Sequence, residues 1–248
     1  MQLIVLSAGR GSRLPRKFRN KPKCLVEINK IPLLLYNKIF FKKFQNKAII
    51  TGYKNKYLKK VTEKIGFRNI INKKYLSTNM VYSLFLANKI VKEDVVVVYG
   101  DIIFHEKIYN KLQYNHNILP VNINWLHNWK NRMSLKNILN DAENLVVKKN
   151  YLSEIGSKIE KNKLPKYQFM GIIKFNKETY QNCYRYFKTL NNKKIDMTSF
   201  LNLCVINKII SLKIQKYNNY WYEIDSFSDH KFAEKDIKDK LNFEFLNN

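Results

Sequence analysis

From Gln2 to Leu25 the chain reads QLIVLSAGRGSRLPRKFRNKPKCL, and this stretch decides the fold. A short apolar run, Leu3 to Leu6, feeds into Ser7-Ala8-Gly9-Arg10-Gly11-Ser12-Arg13, and Pro22-Lys23-Cys24-Leu25 follows. An apolar strand that ends in small residues leaves backbone N–H groups free to turn toward a ligand. Without side chains at Gly9 and Gly11 the main chain can approach an anion closely, and adjacent amides form a concave donor nest. Arg10, Arg13, Arg16, Lys17, Arg19, Lys21 and Lys23 add positive charge to that nest, which is the chemistry of a triphosphate site. No Gly-Lys-Ser/Thr closes the loop, so it is not a Walker loop, and its glycines do not complete a dinucleotide fingerprint.

Outward from this loop, strand-like and helix-like segments alternate. Pro32 suits the first position of a helix, and Leu33 to Phe44 carries Asn37, Lys38, Lys42 and Lys43 along one side. Ala48 to Thr51 reads as a strand ending at Gly52-Tyr53, Lys54 to Lys64 as a polar helix stopped by Gly66, and Arg68 to Ile71 as another strand. Ser77-Thr78-Asn79 supplies caps for a helix over Met80 to Val91, apolar on nearly every side and so expected to be buried. Val95 to Val98 is a β-branched run suited to a central parallel strand covered on both faces. Asn115 to Glu160 reads as an irregular insertion. Tyr167 to Phe175 then reads as a strand, Asn176 to Leu190 and Met197 to Asn207 as helices, and Ile209 to Ile214 as a strand. This alternation predicts an α/β, doubly wound sheet with ligands outside the carboxyl ends of its strands, so the loops after Leu6, Thr51 and Tyr99 should meet at one crevice.

Composition bounds the alternatives. The 248 residues suit one α/β unit, and 45% hydrophobic with 14% aromatic content fits a folded chain. Cys24, Cys183 and Cys204 are scattered without a CxxC, which indicates neither a disulfide framework nor a zinc site. The first strand begins at residue 2 without a basic leader, and no stretch approaches a spanning helix, so a cytoplasmic protein is expected. The net charge of +27 could serve a nucleic acid or an anionic membrane. The lysines are spread evenly, however, and no nucleic-acid motif accompanies them, which favours a compositional origin; in either case the field draws in anionic substrates.

Two carboxylates stand out. Asp101 follows the Val95–Tyr99 run through Gly100, where it can hold Mg²⁺ at the crevice mouth or simply form a turn. In Trp221-Tyr222-Glu223-Ile224-Asp225, alternation puts Trp221, Glu223 and Asp225 on one strand face. Residue chemistry alone leaves the metal and structural roles open for both. His105, His116, His127 and His230 show no metal-ligand spacing, and Ser7 and Ser12 have no visible base to activate them.

The loop, with Pro22-Lys23 at its spacing, resembles the signature of nucleotidyltransferases that activate sugar phosphates and phosphocholine, roughly L-A-A-G-x-G-x-R followed by P-K-x-L. Ser7 replaces the first Ala, and Phe18 stands where a Thr is usual. Thr51-Gly52-Tyr53, Tyr75, Thr78-Asn79-Met80, Gly100-Asp101, Trp125, Trp129, Arg132, Glu154-Ile155-Gly156 and Trp221 to Asp225 fall in the order of the phosphocholine- and phosphoglutamine-cytidylyltransferase-like branch, with Asn122 in place of a usual Asp.

The resemblance implies a Rossmann-like, GT-A-like mixed sheet over residues 1–248, with a nucleotide-binding half (1–114) and an acceptor-binding half (115–248). It implies Mg²⁺ on Asp101 and Asp225, catalytic Arg13 and Lys23, and a nucleotide site at Leu6, Ala8, Gly9, Gly11, Ser12, Arg13, Gly52, Tyr53, Thr78, Asn79 and Gly100. The acceptor side would comprise Lys23, Trp125, Trp129, Glu154, Trp221 and Glu223. Residue chemistry separately raises a cage of Trp125, Trp129, Tyr220, Trp221 and Tyr222 for a quaternary ammonium, against the ordinary role of such residues in core or rim. The implied partners are CTP and a small phosphorylated or phosphonate acceptor, and the implied role is modification of a surface glycan or lipid headgroup. A sugar-1-phosphate nucleotidyltransferase and a non-catalytic basic binding protein on the same fold are the alternatives.

Overall fold

The computed structural model describes residues 1–159 and 163–240; Glu160, the end of the expected insertion, and the last eight residues of the expected unit lie outside them. At its centre is a mixed sheet in the order Arg68–Ile71, Lys47–Thr51, Gln2–Ser7, Val95–Tyr99, Ile172–Phe175, Ile118–Asn122, Lys213–Tyr217, Tyr151–Ile155, Leu145–Lys148. The first four of these run parallel, and Ile172–Phe175 then pairs antiparallel with Val95–Tyr99. Register sets Ser7 beside Thr51 and Leu6 beside Tyr99, so the carboxyl ends of three strands finish at one edge.

Period-2 alternation divides each central strand between two cores. Ile4, Leu6, Val95, Val97 and Ile173 pack with the helices Met80–Phe85, Lys177–Thr189 and Met197–Ile206. Leu3, Val5, Val96, Val98 and Ile172 pack on the opposite face with Phe40, Phe41, Leu58, Ile108 and the tryptophans of the insertion. Both faces are therefore covered, which is why Val95–Val98 carries no polar residue. Each fully buried aliphatic side chain contributes about 1.5–3 kcal/mol relative to exposure. A third cluster joins Leu14 and Val26 to Ile103, Tyr222, Ile224 and Ile237, fixing the opening loop against a two-stranded ribbon and the last helix, Phe227–Lys240. No helix among the described residues is long and apolar enough to cross a membrane.

The doubly wound arrangement agrees with the alternation of the sequence, and the departures have local causes. The helix expected over Leu33 to Phe44 breaks at Asn37 into Leu33–Tyr36 and Lys38–Lys42. The buried Asn37 amide donates to Ile102 O at 2.8 Å and its oxygen accepts from Phe104 N, a long-range demand that outweighs helix continuity. The strand expected over Tyr167 to Phe175 breaks at Gly171, whose φ of +74° an L side chain rarely adopts. Gln168–Phe169 pairs with Val121 and Asn122, whereas Ile172–Phe175 pairs with Val95–Val98. The helix begun at Met80 ends at Phe85 and gives way to a 3-10 turn at Asn88–Ile90. The last sheet strand falls at Lys213–Tyr217, later than the expected Ile209 to Ile214. The insertion is more ordered than expected: it holds the strand Ile118–Asn122, the helices Trp125–Lys130 and Leu135–Asp141, and a hairpin of Leu145–Lys148 with Tyr151–Ile155. That hairpin turns through Lys149 (φ 48°) and Asn150 (φ 67°), left-handed geometry without the glycine that would announce it.

Candidate active site

The converging strand ends open onto a crevice of about 350 Å³. The opening loop lines it with Leu6, Ala8, Gly9, Gly11, Ser12 and Arg13. Thr78 and Asn79 line it from the cap of the Met80–Phe85 helix, and Gly100, Asp101, Asp225 and Lys23 complete it from the other side. An added Cβ at Gly9 would meet nothing, while one at Gly100 would come within 2.7 Å of Ser7 Oγ and 2.9 Å of Leu6 O. Packing therefore demands glycine at position 100, whereas position 9 is bare toward open space.

Gly52 and Tyr53 sit one layer behind the loop. A Cβ at Gly52 would lie 2.7 Å from Ala8 O, and Tyr53 donates its N–H to Ala8 O at 3.1 Å. The Tyr53 hydroxyl donates to Arg19 O at 2.8 Å, and the Arg10 guanidinium lies 5.7 Å from its ring centre. These contacts shape the loop from outside the crevice.

The basic residues of the loop divide by task. Arg19 donates through Nε to Leu14 O at 2.6 Å and also bonds Ser12 O, so it staples the loop. Lys21 pairs with Glu27 at 2.5 Å, and Lys17 lies 4.7 Å from the Phe227 ring centre. Arg10, Arg13 and Lys23 line the crevice.

Asp101 and Asp225 meet because the ribbon continues the sheet edge. Trp221–Glu223 runs antiparallel to Ile102–Phe104, with Glu223 opposite Ile102, and Ile224 donates its N–H to Asp101 O at 3.0 Å. The Lys23 ammonium bridges them, donating to Asp101 Oδ2 at 2.7 Å and to Asp225 Oδ1, while Arg13 holds Asp225 Oδ2 at 2.8 Å. Burial works against the charge on Lys23, but Asp101 and Asp225 outweigh it and raise its pKa. Burial likewise opposes ionisation of Asp225, yet Lys23 and Arg13 hold its carboxyl below the usual range. Asp101 Oδ1 is buried without a hydrogen-bond partner.

Two hard oxygen ligands already gathered around one cation position, with one oxygen orphaned, suit Mg²⁺. That ion takes one or two carboxylates and completes its shell with water and substrate phosphates. Among the described residues no three His, Cys, Asp or Glu side chains group to hold an ion.

The acceptor-side residues of the sequence reading are placed differently. Trp125, Trp129 and Trp221 are 1%, 3% and 2% exposed, packed in the second core. Trp221 donates its indole N–H to Met170 O at 3.1 Å, and the Trp125 and Trp129 rings meet edge to face at 5.2 Å. The three indoles are core side chains here, not walls of an open box. Glu154 accepts from Ser157 Oγ at 2.5 Å and does not line the crevice. Glu223 is half-buried, and burial together with Asp225 and Asp101 pushes its carboxyl well above the usual range. The buried Asn122, in place of the usual Asp, accepts from Asn124 N at 2.8 Å and so shapes the strand end.

Tyr75, Ser83 and Met80 also line the crevice. Behind them the buried Asn72 donates to Thr78 Oγ1 and to Ser83 Oγ, both at 3.0 Å, and accepts from Lys74 N. Asn72 was missed because a lone Asn after a strand carries no signal of the three partners it finds. Burial raises the pKa of Tyr99, and the charges of Glu143, Asp101, Glu223 and Asp196 raise it further.

No protein-family model matches the chain. It is 30% identical to the CTP:phosphoglutamine cytidylyltransferase of Campylobacter jejuni over 92% of this chain and 97% of that protein. It is 34% identical to the choline-phosphate cytidylyltransferase of Streptococcus pneumoniae over 45% of this chain and 50% of that one. Among solved structures, the CTP:phosphocholine cytidylyltransferase of S. pneumoniae superposes with a TM-score of 0.74 at 23% identity, covering 95% of this chain and 98% of that chain. The inositol-1-phosphate CTP transferase of T. maritima superposes at 0.72 and 23% identity, covering 94% and 95%; at these identities both speak for the fold.

Proposed function

The chain belongs to the nucleotidyltransferase family that includes the phosphoglutamine and choline-phosphate cytidylyltransferases, and from that premise we propose that it transfers CMP from CTP to a small phosphorylated or phosphonate acceptor, with release of pyrophosphate. The observation that carries this proposal is the Lys23 ammonium held between Asp101 and Asp225, with Arg13 on Asp225, at the rim of a glycine-lined crevice.

An acceptor oxygen attacks the α-phosphorus of CTP, forming the new P–O bond as the bond to the bridging oxygen breaks. The electron pair leaves with pyrophosphate. The attacking oxygen is already anionic, so no general base is needed, and rate comes from alignment and charge neutralisation. The bare amides around Gly9 and Gly11 cradle the phosphates. Arg13 offers a planar fork to the β- and γ-phosphates as charge builds on the leaving group. Lys23, kept charged by its two carboxylates, orients the α-phosphate and the incoming oxygen. Asp101 and Asp225 would hold Mg²⁺, which supplies neutralisation of phosphate charge.

The relation to the phosphoglutamine enzyme over nearly the full length of both chains favours an acceptor of that type, and a role in decorating a surface polymer or lipid headgroup follows from such products. A pyrophosphate-release assay with Mg²⁺, crossing CTP, UTP, ATP and dTTP against phosphoglutamine, phosphocholine, aminoethylphosphonate and glucose-1-phosphate, tests the proposal. CTP-selective release with one of the first three acceptors is expected. Turnover confined to glucose-1-phosphate would overturn it.

A further inference from the structure

Asp229 lies in the first turn of Phe227–Lys240 and is 3% exposed. Its Oδ2 accepts two backbone N–H groups, from Asp225 at 3.0 Å and from Ser226 at 2.7 Å. Ser226 Oγ accepts from Asp229 N at 3.3 Å, so the pair forms a capping box at the helix start. An ordinary capping box ends there. Here the second oxygen of Asp229 takes the Arg132 guanidinium, whose side chain is only 6% exposed. Arg132 also donates to Glu223 O at 3.2 Å and lies 4.7 Å from the Trp129 ring centre. The main chain at residues 223, 225 and 226 is thus tied from both sides of Asp225 to one buried ion pair, and the guanidinium of that pair is backed by Trp129.

We infer that Arg132 and Asp229 are positioning residues for the Asp225 carboxylate, acting through its backbone. The inference rests on the proposed role of Asp225 as a Mg²⁺ ligand. A buried ion pair is a poor device for stability, since desolvation offsets much of the attraction. What it orients gives it a use beyond stability: partners one step behind a metal ligand commonly change metal affinity or activity by about 10–100-fold. Arg132 follows the Trp125–Lys130 helix in a turn that donates its N–H to Trp129 O at 3.1 Å, which lays the guanidinium over the Trp129 ring and toward Asp229.

Removing one member alone would strand a buried charge and risk misfolding, so the test uses two double variants. Arg132→Met with Asp229→Ala removes both the ion pair and the acceptor for the two amides. Arg132→Met with Asp229→Asn removes the ion pair and keeps a side-chain oxygen for those amides. Binding of Mn²⁺ in the presence of saturating CTP, followed by the loss of the free-ion paramagnetic resonance signal, is compared with the metal dependence of pyrophosphate release and with thermal melting. The Ala double variant is expected to need about tenfold more metal or beyond, with its turnover recovering at high metal, and the Asn double variant, melting at a similar temperature, to fall between it and wild type; a wild-type metal response of the Asn double variant would take Arg132 out of the role. Identical metal responses in the two variants, or loss of turnover that added metal does not recover, would overturn the positioning role. Asp225→Asn serves as the control for the premise: if it binds Mn²⁺ as tightly as wild type, Asp225 is not a metal ligand and the inference falls with that reading.

Discussion

The two sides of the crevice are built on opposite plans. On the side of the opening loop, backbone does the work: Gly9 leaves the main chain bare, Gly11 and Gly100 let it pack closely against Lys23 and Ser7, and Arg10, Arg13 and Lys23 bring positive charge to it. On the other side, large side chains are spent on packing. Trp125, Trp129 and Trp221 are core, the carboxylates Glu143, Glu223 and Asp196 act on the buried Tyr99, and Asp141 and Glu223 act on Arg13. A phosphate is recognised by amides that any small-residue loop can present, so the opening-loop side follows from local sequence. Side chains of the insertion find partners far away in the sequence, and there the tertiary fold decides.

The sharpest break in this contrast is at the shared edge. Asp101→Asn and Asp225→Asn should each lower turnover by at least about 100-fold, the loss expected when an electrostatic element of phosphoryl transfer is removed, while the folded state persists. Near-normal turnover of both at matched Mg²⁺ would take the two carboxylates out of the chemistry.

Substitution of the buried tryptophans should read as lost stability. Trp221→Ala deletes a 2%-exposed indole and should cost about 3–5 kcal/mol, measured by denaturant unfolding. An aromatic cage would respond differently, with a raised acceptor KM and an unchanged unfolding midpoint.

Along the crevice the glycines separate fold from function. Gly100→Ala drives a Cβ toward Ser7 Oγ and Leu6 O and should cost about 1–3 kcal/mol. Gly9→Ala meets no protein atom, so its melting should stay at wild type while the KM for CTP rises. An unchanged KM would mean that phosphate does not approach Gly9.

The smallest effect concerns Glu143. Burial pushes Glu143 up, with Asp196 and Asp141 adding to it against the Thr198 hydroxyl. Its folded pKa exceeds its unfolded one, so stability is fullest below the ordinary glutamate range and declines as pH rises through the elevated value. Glu143→Gln should flatten that decline in melting temperature, and an unchanged slope would show that Glu143 does not titrate against the fold.

What sequence made legible follows the same division. The strand Val95–Tyr99, the opening loop and Gly100-Asp101 are local patterns, and their placement at the sheet edge follows from alternation and parallel pairing. Asn37, Asn72, Arg132 and Asp229 are polar residues whose partners lie in other segments, such as Ile102 for Asn37 and Asp229 for Arg132. Period and propensity carry no trace of such pairings. The tryptophans were visible, but a conspicuous aromatic serves core and ligand equally well until burial distinguishes them.

The central claim is a transfer of CMP, and ³¹P NMR of wild-type protein with CTP, Mg²⁺ and a phosphoglutamine-type acceptor tests it most directly. The account predicts pyrophosphate together with the paired resonances of a CDP-linked product, and neither with Asp101→Asn. Pyrophosphate accompanied only by free CMP, or no change in CTP with any phosphorylated acceptor, would contradict it.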